Sequence, residues 1–584
     1  MLKLFKGLTK KQLLVILLCV FIMIFQVWIE LKLPDYMSEI TRLIQTDGSK
    51  MSEILVQGGF MLACALGSMI SAIIIGYFAS GLSASFSLAL REKIFKKVQK
   101  LSISEIKDFS TSSLITRTTN DVTQIEMLIA MGLQAMIKAP IMAIWAVSKI
   151  INRSMTLSSI VGAGVLILLL NIVMIMSIVA PRFKKIQKLT DKVNGLTREN
   201  LMGIRVVRAF NAEEFQEDRF ESVNSELTKT NLTIQRTFAQ MMPIMMLVMN
   251  FLTLGIYFIG SYLIVDANMI GKIDLFSNMV VFTSYGMQVI FSFLMLAFIF
   301  MILPRANVSA KRINEVLDAD ISIVDGNITE RKEVGTVEFK NVSFKYPDAK
   351  EYLLKNISFK AKKGETIAFI GSTGSGKSTL INLIPRFYDV TDGEVLVDGV
   401  NVKDYKKETL NNIIGYVAQK AFMFTGTVKS NIIFGKAEKK IKNTDIDKAI
   451  KVAQAEEFVS KLDKGLDSHI ARGGTNVSGG QKQRLSIARA IARNPEIYIF
   501  DDTFSALDYK TDLNLRKELK KYTSDATVMI VAQRIGTIIN ADKIIVLDKG
   551  ECVGMGTHKE LLKSCDVYKE IALSQLTKEE LENA

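Results

Sequence analysis

A lysine and a serine behind a run of glycines carry the most specific chemistry in the sequence. In Gly371-Ser372-Thr373-Gly374-Ser375-Gly376-Lys377-Ser378-Thr379 the spacing is Gly-x4-Gly-Lys-Ser, with an apolar β-prone run before it and Leu380-Ile381-Asn382-Leu383-Ile384 after it. Strand, glycine loop and helix form the context in which this spacing makes a P-loop. The glycines let backbone N–H groups close around the β- and γ-phosphates, and the helix N-terminus adds its dipole. Lys377 is placed as a point charge on those phosphates and the Ser378 hydroxyl as a Mg²⁺ ligand. Far downstream, Ile497-Tyr498-Ile499-Phe500 is an apolar strand ending in Asp501, the Walker B pattern, whose carboxylate would hold Mg²⁺ through a water. Between them, Ser478-Gly479-Gly480-Gln481 opens a helical run and makes a second phosphate-ready N-terminus. These residues predict binding of ATP or GTP with Mg²⁺.

The elements that must position this chemistry begin near Thr336. From there, short strands with turn signals alternate with helical stretches: 337–339, 342–344, 366–370, 394–397, 497–500, 528–531 and 544–547. That alternation predicts an α/β domain on a P-loop core over 336–575, reached through a polar linker at 305–335 and followed by a charged tail at 576–584.

The first half is of another kind. Of 584 residues, 49% are hydrophobic, and the long uncharged runs all lie before Pro304. Residues 54–90, 155–181, 237–265 and 275–304 are each long enough to span a bilayer, and 12–29 is long enough with its flanks, given that ~20 residues are needed. A weaker run at 127–150 is interrupted by Lys138 and Lys149. The reading is six transmembrane helices over 12–304, preceded by a basic amphipathic interfacial segment at 1–11. No carboxylate within these runs stands out as an ion site, which favours nucleotide over an ion gradient as the energy source. The segments 91–126 and 182–236 are rich in Lys and Arg, whereas 30–53 and 266–274 lean acidic. By the positive-inside rule the basic segments and both termini are cytoplasmic, and the helices extend well beyond the membrane there. The net charge of +14 fits basic cytoplasmic loops and needs no nucleic acid. The four cysteines form no close-spaced metal or disulfide pattern.

Six spans followed by this nucleotide domain resemble an ATP-binding cassette exporter of the half-transporter kind. Val477–Gln481 is similar to the family's signature motif, with Val for the usual Leu. Tyr346 matches the aromatic that stacks on adenine, and Gln419 the glutamine that senses Mg²⁺ and couples to the membrane domain. Ser505-Ala506-Leu507-Asp508 matches the D-loop. Stretches 108–121 and 198–210 resemble the two intracellular loops, with Ser113 where Gly is more usual. The resemblance implies that ATP is sandwiched between two such domains, each site taking its P-loop from one chain and its signature from the other. The partner is thus a second half-transporter.

Two departures from the family bear on that pairing. The family places Glu after the Walker B Asp to polarise the attacking water; this chain has Asp502, shorter by one C–C bond of roughly 1.5 Å. The switch histidine should follow the strand at 528–531, yet position 533 is Gln, which cannot become cationic near neutral pH. Both changes fall in one site while the signature is intact. The resemblance therefore implies the degenerate-site subunit of a heterodimeric bacterial multidrug exporter, a homodimer being the other arrangement. Such a chain sits multi-pass in the plasma membrane and exports amphiphilic small molecules. Its own Walker site would be weakly hydrolytic, and it would complete the partner's site through Ser478–Gln481. A lipid or glycolipid flippase and a nucleotide-sensing regulatory subunit are the alternatives. Abundant Met and Phe in the last two spans suit a surface that repacks around apolar ligands, with Ser284, Tyr285 and Gln288 as polar candidates for its wall.

Overall fold

The computed structural model describes residues 1–46, 48–151, 153–265, 269–436 and 440–576. The expected charged tail lies almost wholly outside the described residues, as does part of the acidic stretch at 266–274. The chain divides into two compact units, Met1–Gln99 with Thr111–Ala319, and Lys100–Ser110 with Asp320–Ala584.

Among the described residues the first unit has helices and no strands, and six helical segments are long and apolar enough to cross a membrane: Lys10–Gln45, Met51–Val98, Thr111–Ile151, Met155–Ala209, Glu213–Val265 and Gly271–Asp318. At 1.5 Å per residue, the 55-residue segment Met155–Ala209 runs on the order of 80 Å, far beyond a ~30 Å hydrocarbon core. The first span starts at a capping box, in which Thr9 and Gln12 satisfy each other's backbone N–H groups. It also continues past Glu30 as a second helix, Leu33–Gln45, where the sequence suggested a loop. Pro34 sits at the start of that helix, where its missing N–H costs nothing, and Asp35 suits the first turn. The weak third span is one continuous helix, Asn120–Ile151, running through Pro140. Its two lysines find carboxylates on the first span, Lys138 on Glu30 at 2.8 Å and Lys149 on Asp35 at 3.1 Å. Ser113 lies inside the helix Thr111–Thr118 and needs no glycine conformation; the left-handed residue there is Ser110, at φ 52°. The bundle core packs Val27, Met142, Leu252, Phe282 and Val289.

Among the described residues the second unit holds two large sheets and a two-stranded ladder of Gly426–Thr427 with His469–Ile470. The central one is six-stranded, in the order Glu551–Gly556, Lys543–Asp548, Thr366–Gly371, Thr527–Val531, Ile497–Asp501 and Ile414–Val417. All its pairings are parallel except that of Glu551–Gly556. Strands buried on both faces read as continuous apolar runs, and Ile367, Ala368 and Phe369 are fully enclosed. An antiparallel sheet, in the order Leu354–Ala361, Val337–Phe344, Asp392–Val397 and Val400–Asn401, carries the aromatic end of the domain. The two short runs expected at 337–339 and 342–344 are one strand with an irregularity at Asn341, φ 47°.

Candidate functional site

Strand order puts the chemistry at one edge. Thr527–Val531 lies between the P-loop strand and the Walker B strand, with Val531 opposite both Phe369 and Asp501. The segments leaving the carboxyl ends of these three strands carry Gly371, Asp502 and Gln533. In open parallel sheets this is where ligands bind.

The loop itself is a cradle that only glycine can form. A Cβ on Gly371 would lie 2.0 Å from the Leu547 carbonyl oxygen, and one on Gly376 2.5 Å from a Leu354 methyl. Gly371, Gly374 and Gly376 have φ of 156°, 87° and 94°, and Gly376 caps the helix Lys377–Asn382. Inside the cradle, Lys377 Nζ donates to the carbonyl oxygens of Gly371 at 2.8 Å and Ser372 at 2.7 Å. The Ser375 hydroxyl lies 3.4 Å from the same nitrogen, and the Ser375 N–H donates to Ser372. Thr373 lies in the turn between them. Burial pulls the Lys377 ammonium below its ordinary lysine value, while Asp502 and Asp501 oppose the shift. A triphosphate would offer this lysine anionic oxygens in place of the two carbonyls it now contacts.

Ser378 and Asp501 stand side by side, the hydroxyl donating to Asp501 Oδ1 at 2.7 Å. Burial, with help from the charge of Asp502, pushes the Asp501 carboxyl above the usual range, against the Ser378 hydrogen bond. A hydroxyl and a carboxylate in contact are the oxygen donors that suit Mg²⁺, and a cation there would restore the ionised form. Gln419 Nε2 donates to Asp502 Oδ2 at 3.0 Å, and its amide oxygen is a further donor that would suit the same ion. When bound, Mg²⁺ would neutralise charge on the β- and γ-phosphates.

The two departures meet in space. Asp502 takes a left-handed backbone at φ 45°, with its N–H on the Val531 carbonyl at 3.0 Å. Its Oδ2 accepts from Gln533 Nε2 at 2.7 Å and from Gln419 Nε2 at 3.0 Å. One carboxylate oxygen is thereby held by two amides, in a residue only 6% exposed. Residues that the sequence reading missed support this arrangement. Gln575 donates to the Gln533 carbonyl at 2.8 Å and accepts from the Ile535 N–H at 2.8 Å. Gln483, buried in the helix Gly479–Ala492, donates to the Ala418 carbonyl beside Gln419 at 3.3 Å. Neither Gln575 nor Gln483 carries a signal in the sequence, since the burial of Gln483 appears only in the fold.

Tyr346 bonds Thr379 Oγ1 at 2.9 Å and meets Phe344 and Tyr388 edge-on. The Lys107 ammonium lies 5.4 Å from its ring centre. The signature residues stand apart. Ser478 and Gln481 form a capping box with each other, and Gly479 and Gly480 open the helix behind them. Among the described residues, none of these four hydrogen-bonds to Gly371–Thr379. Asp508 caps the helix Tyr509–Tyr522 by accepting from Thr511 at 3.0 Å. In the membrane unit, Tyr285 is fully buried and donates to the Leu31 carbonyl and Asp35, which makes it a tie between helices. Ser284 bonds its own helix.

The family described as ABC transporter transmembrane region matches residues 13–293, and the one described as ABC transporter matches 354–505. An uncharacterized ABC transporter ATP-binding protein of Mycobacterium bovis is 38% identical over 523 residues, covering 88% of this chain and 87% of that one. The chain belongs to the ABC transporter family. As an ABC exporter half-transporter it joins a membrane domain and a nucleotide domain in one chain, and its fold is that of a solved bacterial Atm1-family ABC exporter with ATP bound. That likeness has a TM-score of 0.82 at 23% identity and covers 97% of this chain and 99% of that one. Two further ABC relatives are each 31% identical. One, from Bacillus subtilis, is provisionally named for multidrug export and covers 85% of this chain and 84% of its own length. The other, an ATP-dependent lipid A-core flippase of Haemophilus influenzae, covers 86% and 84%. The ABC domain implies ATP binding and ATPase activity, and the six spans make this transporter a multi-pass membrane protein.

Proposed function

We propose that this chain is the degenerate-site half of a heterodimeric exporter that moves amphiphilic small molecules out of a bacterial cell. The observation that carries the reading is the pair of amides on Asp502 Oδ2. A carboxylate one bond short, and engaged by Gln533 and Gln419, is poorly placed to orient a water on the γ-phosphate. The glycine cradle, Lys377 and the Ser378–Asp501 pair remain suited to binding MgATP. In this reading the site binds nucleotide and contributes little turnover. Ser478–Gln481, unengaged with the chain's own P-loop, complete a competent site on a partner that carries the Glu and the His. Both termini face the cytoplasm, in keeping with the basic segments at 91–126 and 182–236.

Purification of the transporter with its partner tests this. Asp502→Ala should leave ATPase nearly unchanged, while neutralising the partner's catalytic carboxylate should abolish it; equal losses would overturn the heterodimer reading. A second substrate class, lipids or glycolipids, is favoured by the flippase name of the Haemophilus influenzae relative. Translocation of labelled lipid in vesicles without efflux of drugs would select it.

A further inference from the structure

No carboxylate stands out within the apolar runs of the sequence, yet folding brings Glu30, at the end of the first of them, against Lys138. Glu30 closes the first spanning helix, Lys10–Glu30. Its Oε1 accepts from Lys138 Nζ at 2.8 Å, from Ser68 Oγ at 2.8 Å and from Gln26 Nε2 at 2.9 Å. Three spanning segments contribute these groups. The Glu30 and Lys138 side chains are 18% and 21% exposed. A fourth segment brings Gln288, whose Nε2 lies 3.4 Å from the Glu30 carbonyl oxygen.

Ionisable groups within spanning helices are costly and mark substrate paths where they face a bundle interior or an aqueous cavity. What this cluster lacks shows what it would take. Gln288 Oε1 is buried and has no hydrogen-bond partner among the described residues. Glu30 Oε2 likewise accepts no bond among them, all three donors converging on Oε1. Lys138 already has its counter-charge in Glu30, and the neighbouring cations Lys149 and Arg153 are both engaged by Asp35, at 3.1 and 2.6 Å. The unmet need is for a donor. Apolar Val27 and Val289, beside the same residues in sequence, belong to the bundle core and offer contact for a hydrophobic body.

We propose that Glu30, Lys138 and Gln288 form a head-group subsite for amphiphiles bearing a protonated primary or secondary amine. Its N–H groups go to Gln288 Oε1 and Glu30 Oε2, and the apolar body lies along the bundle. This rests on the export reading above and narrows its substrate class.

Stimulation of ATPase in proteoliposomes by four twelve-carbon probes tests it: dodecylammonium, dodecyltrimethylammonium, dodecanol and dodecyl phosphate. Dodecylammonium should act at about tenfold lower concentration than dodecyltrimethylammonium, which has the charge but no N–H, as expected for a charge-assisted hydrogen bond. Gln288→Leu should erase that ratio, and Gln288→Glu should widen it, a gain that a misfolded variant cannot give. Equal response to all heads, preference for the phosphate, or a ratio unmoved in both variants would overturn the subsite and leave amphiphile export standing. No stimulation by any probe, together with no efflux, would overturn the export reading itself.

Discussion

Asp502→Glu combined with Gln533→His is expected to convert a holding site into a hydrolysing one. In the native chain the Asp502 carboxylate is drawn back by two amide nitrogens at 2.7 and 3.0 Å. An added methylene advances the carboxylate by roughly 1.5 Å. A misplacement of ~1 Å in a catalytic group is worth on the order of 10²-fold in rate, or ~2.7 kcal/mol of barrier. Asp502→Glu alone should recover only part of this. Gln533 would still grip the longer side chain through a hydrogen bond to a charged group, worth about 1.5–3 kcal/mol. Histidine replaces the amide and restores a group able to carry charge near neutral pH. The assay is phosphate release in proteoliposomes, with the partner's catalytic carboxylate neutralised so that this site alone contributes. Turnover should rise from wild type through Asp502→Glu to the double variant. A wild-type rate equal to that of the double variant would refute the reasoning, as would a single change as effective as both.

Other perturbations have expected outcomes of their own. Tyr346→Ala should weaken ATP binding about tenfold, from the ~1–3 kcal/mol of a lost base–aromatic stack, and Tyr346→Trp should retain it; nucleotide titration of the purified transporter reads both. Lys138→Met should lower the thermal midpoint through a loss of about 3 kcal/mol, because it strands the Glu30 charge, and adding Glu30→Gln should recover most of it. Asp398 supplies a pH dependence. It is fully buried, with Oδ1 accepting from Thr336 at 2.9 Å and Oδ2 lacking a hydrogen-bond partner among the described residues, and burial pushes its carboxyl up to about 6. The folded chain then holds this proton more tightly than the unfolded one, so stability falls as pH rises from about 4 to about 6. Asp398→Asn should therefore raise the thermal midpoint at pH 7.5, with the advantage shrinking towards pH 5.

What could be read from the sequence was what depends on near neighbours. The P-loop is a local pattern, and Gly371 to Ser378 need only their own strand and helix for their roles to be recognised. Asp502 and Gln533 were legible as departures because each follows an apolar strand, but their shared hydrogen bond depends on strand order. Pairings set by helix rotation were not legible. Lys138 looked like an interruption of a weak span, and the carboxylate that makes it tolerable lies 108 residues away. The strand Leu354–Ala361 was missed because its exposed positions carry Lys and Asn, although its inward face alternates as a half-buried strand should. Leu33–Gln45 lies between two uncharged runs and carries Asp35, Glu39 and Arg42, so its composition points to a loop and not to a helix that continues the first span.

Gln575 has a practical consequence for anyone handling this protein. It lies at the end of the helix Asp566–Gln575 and holds the backbone of the Gln533 segment through two hydrogen bonds. A truncation before Gln575, or an affinity tag fused tightly against it, would loosen the segment that positions Gln533 against Asp502. Purified material altered there would report an ATPase different from that of the native chain. Tags belong at the other end or behind a generous spacer.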